Sequence, residues 1–286
     1  MVYAALLVAG VVGGYLAGLL GIGGGFIVVP VLVVLLPALG VEPSIVPNVA
    51  VATSLAAMVP TALSATVAQY RRGALDAAWL WRLAPGAAVG ATIGSQVAAS
   101  LSGIWVAVIF AAYSGYFALK MLRDQPLLPD RPGRIAGGIV VLPVPLVAFL
   151  IGGFSAIAGV GGASLTIPFL LLKGVDMKRA VAASSAVGLS IGCAGSIGFA
   201  GSPQLSVYGA SPMLVGVVCW PAALLLAASA IVMAPRGVAA AHALPVRQLK
   251  RAFGVVLAMA CAATLAKVGV APSFLEHASR ALAGLA

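Results

Sequence analysis

Charge is scarce in this chain. Only 8% of its 286 residues are Asp, Glu, Lys or Arg, against about 25% in a soluble domain, so it cannot coat a globule with solvated side chains. The six carboxylates (Glu42, Asp76, Asp124, Asp130, Asp176 and Glu276) all fall in connections or in the tail. A proton relay or sodium site built on Asp or Glu therefore has no candidate at membrane depth. His242 and His277 lie outside the apolar stretches, which leaves neither a metal cluster nor a Ser–His hydrolase with its parts. Without titratable side chains in the core a general acid–base enzyme lacks its working groups, and no enzyme activity, cofactor or metal is expected. Cys193, Cys219 and Cys261 stand alone in separate segments with no C-x-x-C pairing and read as small buried apolar residues. The apolar/polar alternation of a membrane barrel is missing too.

Long hydrophobic runs are what the chain has instead. With 62% hydrophobic residues and a mean hydropathy of +1.15, it reads as an all-α polytopic membrane protein. Ten apolar segments can be drawn, at about 2–20, 26–39, 45–69, 78–99, 103–121, 136–158, 163–173, 179–201, 211–235 and 249–270. No Lys or Arg precedes Arg71, so the first segment lacks the basic start of a signal peptide and is expected to span. Residues 272–286 could form an interfacial helix. Trp79, Trp81 and Tyr70 read as interfacial aromatics, Arg82 and Lys267 as snorkelling cations.

The net charge of +10 does not point to nucleic acid, because the basic residues sit in short connections rather than in a tract. If every segment crosses, fourteen of the sixteen Lys and Arg residues fall on one side and only Lys267 and Arg280 on the other. That asymmetry makes the basic side cytoplasmic and both termini periplasmic, in a multi-pass plasma (inner) membrane protein. It also divides the chain into residues 1–122, a Pro-rich cytoplasmic linker at 123–134, and residues 135–286. Five segments per half means oppositely oriented halves, an inverted repeat.

Glycine supplies the first motif. Gly21-Ile22-Gly23-Gly24-Gly25-Phe26 leading to Pro30 returns as Gly159-Val160-Gly161-Gly162-Ala163-Ser164 leading to Pro168, 138 residues later. Each glycine costs a helix interior about 1 kcal/mol relative to alanine, so three within four residues break it. A helix restarting there aims free N–H groups at whatever sits in front of it. Backbone around Gly23, Gly24, Gly25 and Phe26, and around Gly161, Gly162, Ala163 and Ser164, is therefore a candidate anion cradle near the membrane centre. A second matched patch pairs Thr53 and Ser54 with Ser184 and Ser185. These neutral hydroxyls can donate to an oxyanion, or can bond their own i−4 carbonyl. Asn48 is a weaker candidate. Glycines spaced by four (Gly14 and Gly18, Gly86, Gly90 and Gly94, Gly188 and Gly192) read as close helix contacts, and Pro60 and Pro85 as kinks.

The doubled glycine motif, with the Ala52-Thr53-Ser54-Leu55 and Ala183-Ser184-Ser185-Ala186 patches, closely resembles the paired signature of the TauE/SafE sulfite exporter family over essentially the whole chain. The resemblance implies a carrier, export being usual, for a small sulfur-containing anion such as sulfite, sulfoacetate or another organosulfonate. The second copy departs from the first where Gly25 and Phe26 become Ala163 and Ser164, so the two breaks need not contribute equally. An anion channel, an importer of the same anions and a non-transport partner of a sulfur-metabolism complex are the alternatives. The lipid bilayer is the other expected partner, and a homodimer is open.

Overall fold

The computed structural model describes residues 1–21, 23–122, 142–202, 214–241, 255, 257–259 and 261–266. Its helices are α1 (Val2–Leu20), α2 (Gly25–Leu35), α3 (Val46–Arg71), α4 (Ala77–Ser100), α5 (Gly103–Leu122), α6 (Val144–Ala158), α7 (Ala163–Leu172), α8 (Met177–Ala200) and α9 (Trp220–Ala241). A 3-10 turn, Leu36–Leu39, prolongs α2, and further helical residues fall within Leu257–Ala266. The 123–134 linker, His242, Lys267 and the tail from 272 lie outside the described residues.

Local chemistry sets the ends. α1 stops at Gly21 and α6 at Gly159, both left-handed with φ of 69° and 67°, a conformation open to glycine because it has no Cβ. Asp76 caps α4 by accepting the N–H of Ala78 at 3.0 Å. Two further helix starts have local causes. Helix α6 starts at Val144, because Pro143 is extended (φ −61°, ψ 134°) and Pro145 occupies the first turn, where its missing N–H costs nothing. Helix α9 starts at Trp220. Before it, Leu214–Val215 pairs antiparallel with Val218–Cys219 as β1 and β2, turned through Gly216 at φ 64°.

Among the described residues, four helices, α1, α3, α8 and α9, are both long and apolar enough to cross a membrane. Helices α2 and α7, with 11 and 10 residues, rise only about 16 Å at 1.5 Å per residue, half a bilayer core of about 30 Å.

Small residues decide which helices touch. Along α1, a Cβ at Gly10, Gly14 or Gly18 would come within 2.5 Å of Leu226 O, 2.6 Å of Ala230 O and 2.8 Å of the Ala234 carbonyl carbon. This ascending register makes α1 and α9 parallel and in backbone contact. Helices α4 and α6 repeat the arrangement, with Gly86, Gly90 and Gly94 set against Pro145, Phe149 and Gly153. These rows are helix contacts, as their four-residue spacing predicts. Helix α8 runs antiparallel to α3, with Gly195 against Leu55 and Gly192 against Met58. It is tied to α4 by Gln96 Nε2 donating to Gly198 O at 2.6 Å. The pair α3 and α8 thus forms the centre, flanked by α1–α9 on one side and α4–α6 on the other.

Candidate functional site

The two glycine breaks meet each other. A Cβ on Gly23 would lie 2.9 Å from Gly161 Cα, and one on Gly25 would lie 3.0 Å from Val160 Cα. Gly23 also abuts the Met58 side chain, near the middle of the 26-residue α3. Gly24 and Gly162 are the N-caps of α2 and α7, with φ of 77° and 71°, so both short helices start at this junction and run away from it. Among the described residues the N–H groups of Gly24, Gly25, Gly162 and Ala163 have no hydrogen-bond acceptor, although all four residues are buried. Buried backbone N–H groups are rarely left unpaired, and two helix N-termini facing one point add their positive dipole ends there.

Each break leans on the opposite half of the chain. Gly21 packs against Val181 and Ser184 of α8, whereas Gly159 packs against Val51 of α3 and its carbonyl accepts from Ser54 Oγ at 3.1 Å. Of the predicted hydroxyls, Ser54 and Ser184 therefore do touch the breaks, and the protons of Ser54, Ser184 and Ser185 are committed to carbonyls. Ser184 and Ser185 both donate to Val181 O, at 2.8 and 3.1 Å, the local bond a helical serine makes. Thr53 Oγ1 accepts the N–H of Cys219, at 3.0 Å, docking the β hairpin on α3. Asn48 stands apart from the breaks. Its amide donates to Ala98 O and Leu101 O, at 2.9 and 3.1 Å, closing the C-terminal end of α4.

Two residues, Tyr113 and Ser155, join the site that sequence reasoning did not single out. Tyr113 of α5 bridges the two positions where the motif copies diverge. Its ring stacks on Phe26 with centroids 5.6 Å apart and an interplanar angle of 8°, and its hydroxyl hydrogen-bonds Ser164. Nothing near Tyr113 repeats in the other half, so no pattern announced it. Ser155 of α6 and Thr166 of α7 are fully buried, and their hydroxyls have no partner. Ser155 Oγ lies 3.2 Å from the point a Cβ on Gly162 would occupy. Its signal was a lone hydroxyl one turn before Gly159 in an otherwise apolar helix.

Among the described residues, the cavity beside Gly23, Gly24, Ser54, Met58 and Thr61 measures about 10 Å³, room for roughly one water. Glu42, Asp76 and Asp176 lie at helix ends and are exposed or half-buried, and among the described residues no cluster of His, Cys, Asp or Glu could hold a metal. Cys193, Cys219 and Cys261 are unpaired thiols.

Apolar helices of crossing length around a buried polar junction define a multi-pass helical membrane protein. The family description "Sulfite exporter TauE/SafE" matches residues 6–264, and the chain belongs to that family of membrane transporters. It is 31% identical over 261 residues to a probable membrane transporter protein of Haemophilus influenzae, covering 88% of this chain and 93% of the relative. It is 26% identical over 200 residues to the probable membrane transporter protein YunE of Bacillus subtilis, covering 65% and 73%. No solved structure matches.

Proposed function

We propose that the protein exports a small sulfur-containing anion (sulfite, sulfoacetate or a related organosulfonate) by alternating access, with the anion held where the two glycine breaks meet. The observation that carries this is the set of unpaired buried N–H groups at Gly24, Gly25, Gly162 and Ala163. They offer a full shell of donors to an oxyanion without a buried cation. Ser155, whose hydroxyl has no partner and lies beside Gly162, completes the shell on the second break. Ser54, Ser184 and Ser185 exchange their carbonyl partners for the anion only when the halves separate, and Thr53, which accepts the N–H of Cys219, keeps its own proton to donate. The cavity beside the first break, about 10 Å³, is too small for a sulfonate in this conformation. That favours a carrier with an occluded state over a continuously open pore.

The architecture we propose for this cycle is two inverted repeats of five crossings, with the basic loops and the linker in the cytoplasm. Two features support it. Helices α1 and α9 pack in parallel just as α4 and α6 do, so the first helix of each half lies along the fourth helix of the other. The short helices α2 and α7 begin at the same internal point, the geometry expected of a transporter site at a repeat interface. Export follows from the inside-negative potential, which drives anions outward without a coupling carboxylate.

The test is thermal stability of the purified protein against sulfite, sulfoacetate, taurine, thiosulfate and sulfate, since a ligand of the folded state raises the melting temperature. We expect a rise with a sulfur anion and at least a tenfold weaker response in Ser155→Ala. A folded protein indifferent to the whole panel overturns the anion site.

A further inference from the structure

A second cavity, of about 530 Å³, lies away from the junction, between α3 and α9. Its walls are Pro60, Leu63, Val67 and Ala68 on α3 and Ile231 and Pro235 on α9, and its end is formed by Arg71 and Arg72. Two prolines help to shape it. Pro235 cannot donate to the Ile231 carbonyl four residues earlier, and Ser64 Oγ of α3 takes that carbonyl at 2.9 Å, pinning the two helices at the floor of the groove. Leu63, Val67 and Ile231 are 50%, 39% and 40% exposed, so the groove opens sideways to the surroundings of the bundle, which in a membrane are acyl chains. Both arginines are exposed, and neither has a carboxylate partner among the described residues. Arg72 also lines a neighbouring cavity of about 650 Å³ with Lys178, Arg179 and Asp176, so cations outnumber carboxylates around this end of the groove.

We propose that this groove binds an anionic phospholipid, one acyl chain lying between α3 and α9 and the phosphate resting on Arg71 and Arg72. The two parts of the site sit at the depths the two parts of such a molecule need. An apolar trough inside the bilayer ends, at the last turn of α3, in paired guanidiniums whose planar donor forks match phosphate oxygens. A zwitterionic lipid brings its own ammonium to the same place and cancels most of the attraction, whereas an anionic headgroup keeps it. A free inorganic anion gains nothing from the apolar trough. A second copy docking here by two-fold symmetry brings the same arginines to the same depth and no carboxylate to meet them.

The experiment uses the purified full chain in a neutral detergent, its melting temperature followed against phosphatidylglycerol, phosphatidylcholine and inorganic phosphate. We expect phosphatidylglycerol to raise the melting temperature at concentrations at least tenfold below those phosphatidylcholine requires, with no response to phosphate. The double variant Arg71→Gln/Arg72→Gln should lose this tenfold preference. Leu63→Trp, which fills the groove with an exposed side chain and leaves the arginines intact, should weaken the phosphatidylglycerol response at least tenfold. Equal responses to the two lipids, an equal response to phosphate, or an unchanged preference in both variants overturns the proposal. So does a dimer in light scattering that Leu63→Trp dissociates.

Discussion

At the scale of single residues, the glycines divide into kinds that composition does not separate. Gly24, Gly162 and Gly174 all have positive φ, at 77°, 71° and 80°, but only the first two are crowded. A Cβ on Gly24 would approach Gly13 O to 2.9 Å and one on Gly162 would approach Ile191 Cδ1 to 2.6 Å, whereas Gly174 faces open space. The left-handed backbone alone costs an alanine about 1–2 kcal/mol, and this cost is common to all three sites. Gly162→Ala and Gly174→Ala should therefore lose similar stability from the backbone, while Gly162→Ala also disturbs the N–H groups at the junction. Reconstituted into liposomes, Gly162→Ala should pass sulfur anions at least tenfold more slowly, with Gly174→Ala near wild type. Equal flux in the two would detach transport from the breaks.

Among the helices, the decisive feature is backbone contact along α1–α9 and α4–α6. Gly90 lies in the buried α4–α6 seam, 2.7 Å separating its would-be Cβ from the Phe149 carbonyl carbon, while its neighbour Val89 is 56% exposed. Forcing a large side chain into such a seam typically costs about 1–3 kcal/mol or more. Gly90→Leu should lower the melting temperature of purified protein by several degrees or prevent recovery of a monodisperse species. Val89→Leu, one residue away and facing outward, should change neither. Equal behaviour of the two would mean that the helices are not in backbone contact there.

For the whole molecule, the charge asymmetry and the helix directions lead to one testable orientation. Ser44 lies in the connection between α2 and α3, Lys178 at the start of α8, and both are exposed. The proposed five crossings per half would put them on opposite faces of the membrane. In a chain whose three cysteines are replaced, Ser44→Cys should react with a membrane-impermeant thiol reagent in intact cells. Lys178→Cys should react only after permeabilisation. The reverse pattern would invert the proposed orientation and place the arginine-ended groove on the outer face.

The sequence by itself determined what sums along the chain or repeats within it. The scarcity of charge and the apolar runs imposed a helical membrane protein, because unpaired backbone is intolerable in hydrocarbon. The doubled glycines placed the ends of α1 and α6 and the starts of α2 and α7, because left-handed turns need glycine whatever surrounds them. The four-residue glycine rows identified packing faces. Only the tertiary structure decided what depends on contacts between distant segments. It set the two breaks against each other and committed the protons of Ser54, Ser184 and Ser185 to carbonyls. It assigned Asn48 to the end of α4 and brought Tyr113 and Ser155 to the junction. A hydroxyl in an apolar helix has the same local sequence signal whether it bonds its own turn, bridges to another helix or stays unpaired, and which of these holds depends on partners far away in the chain.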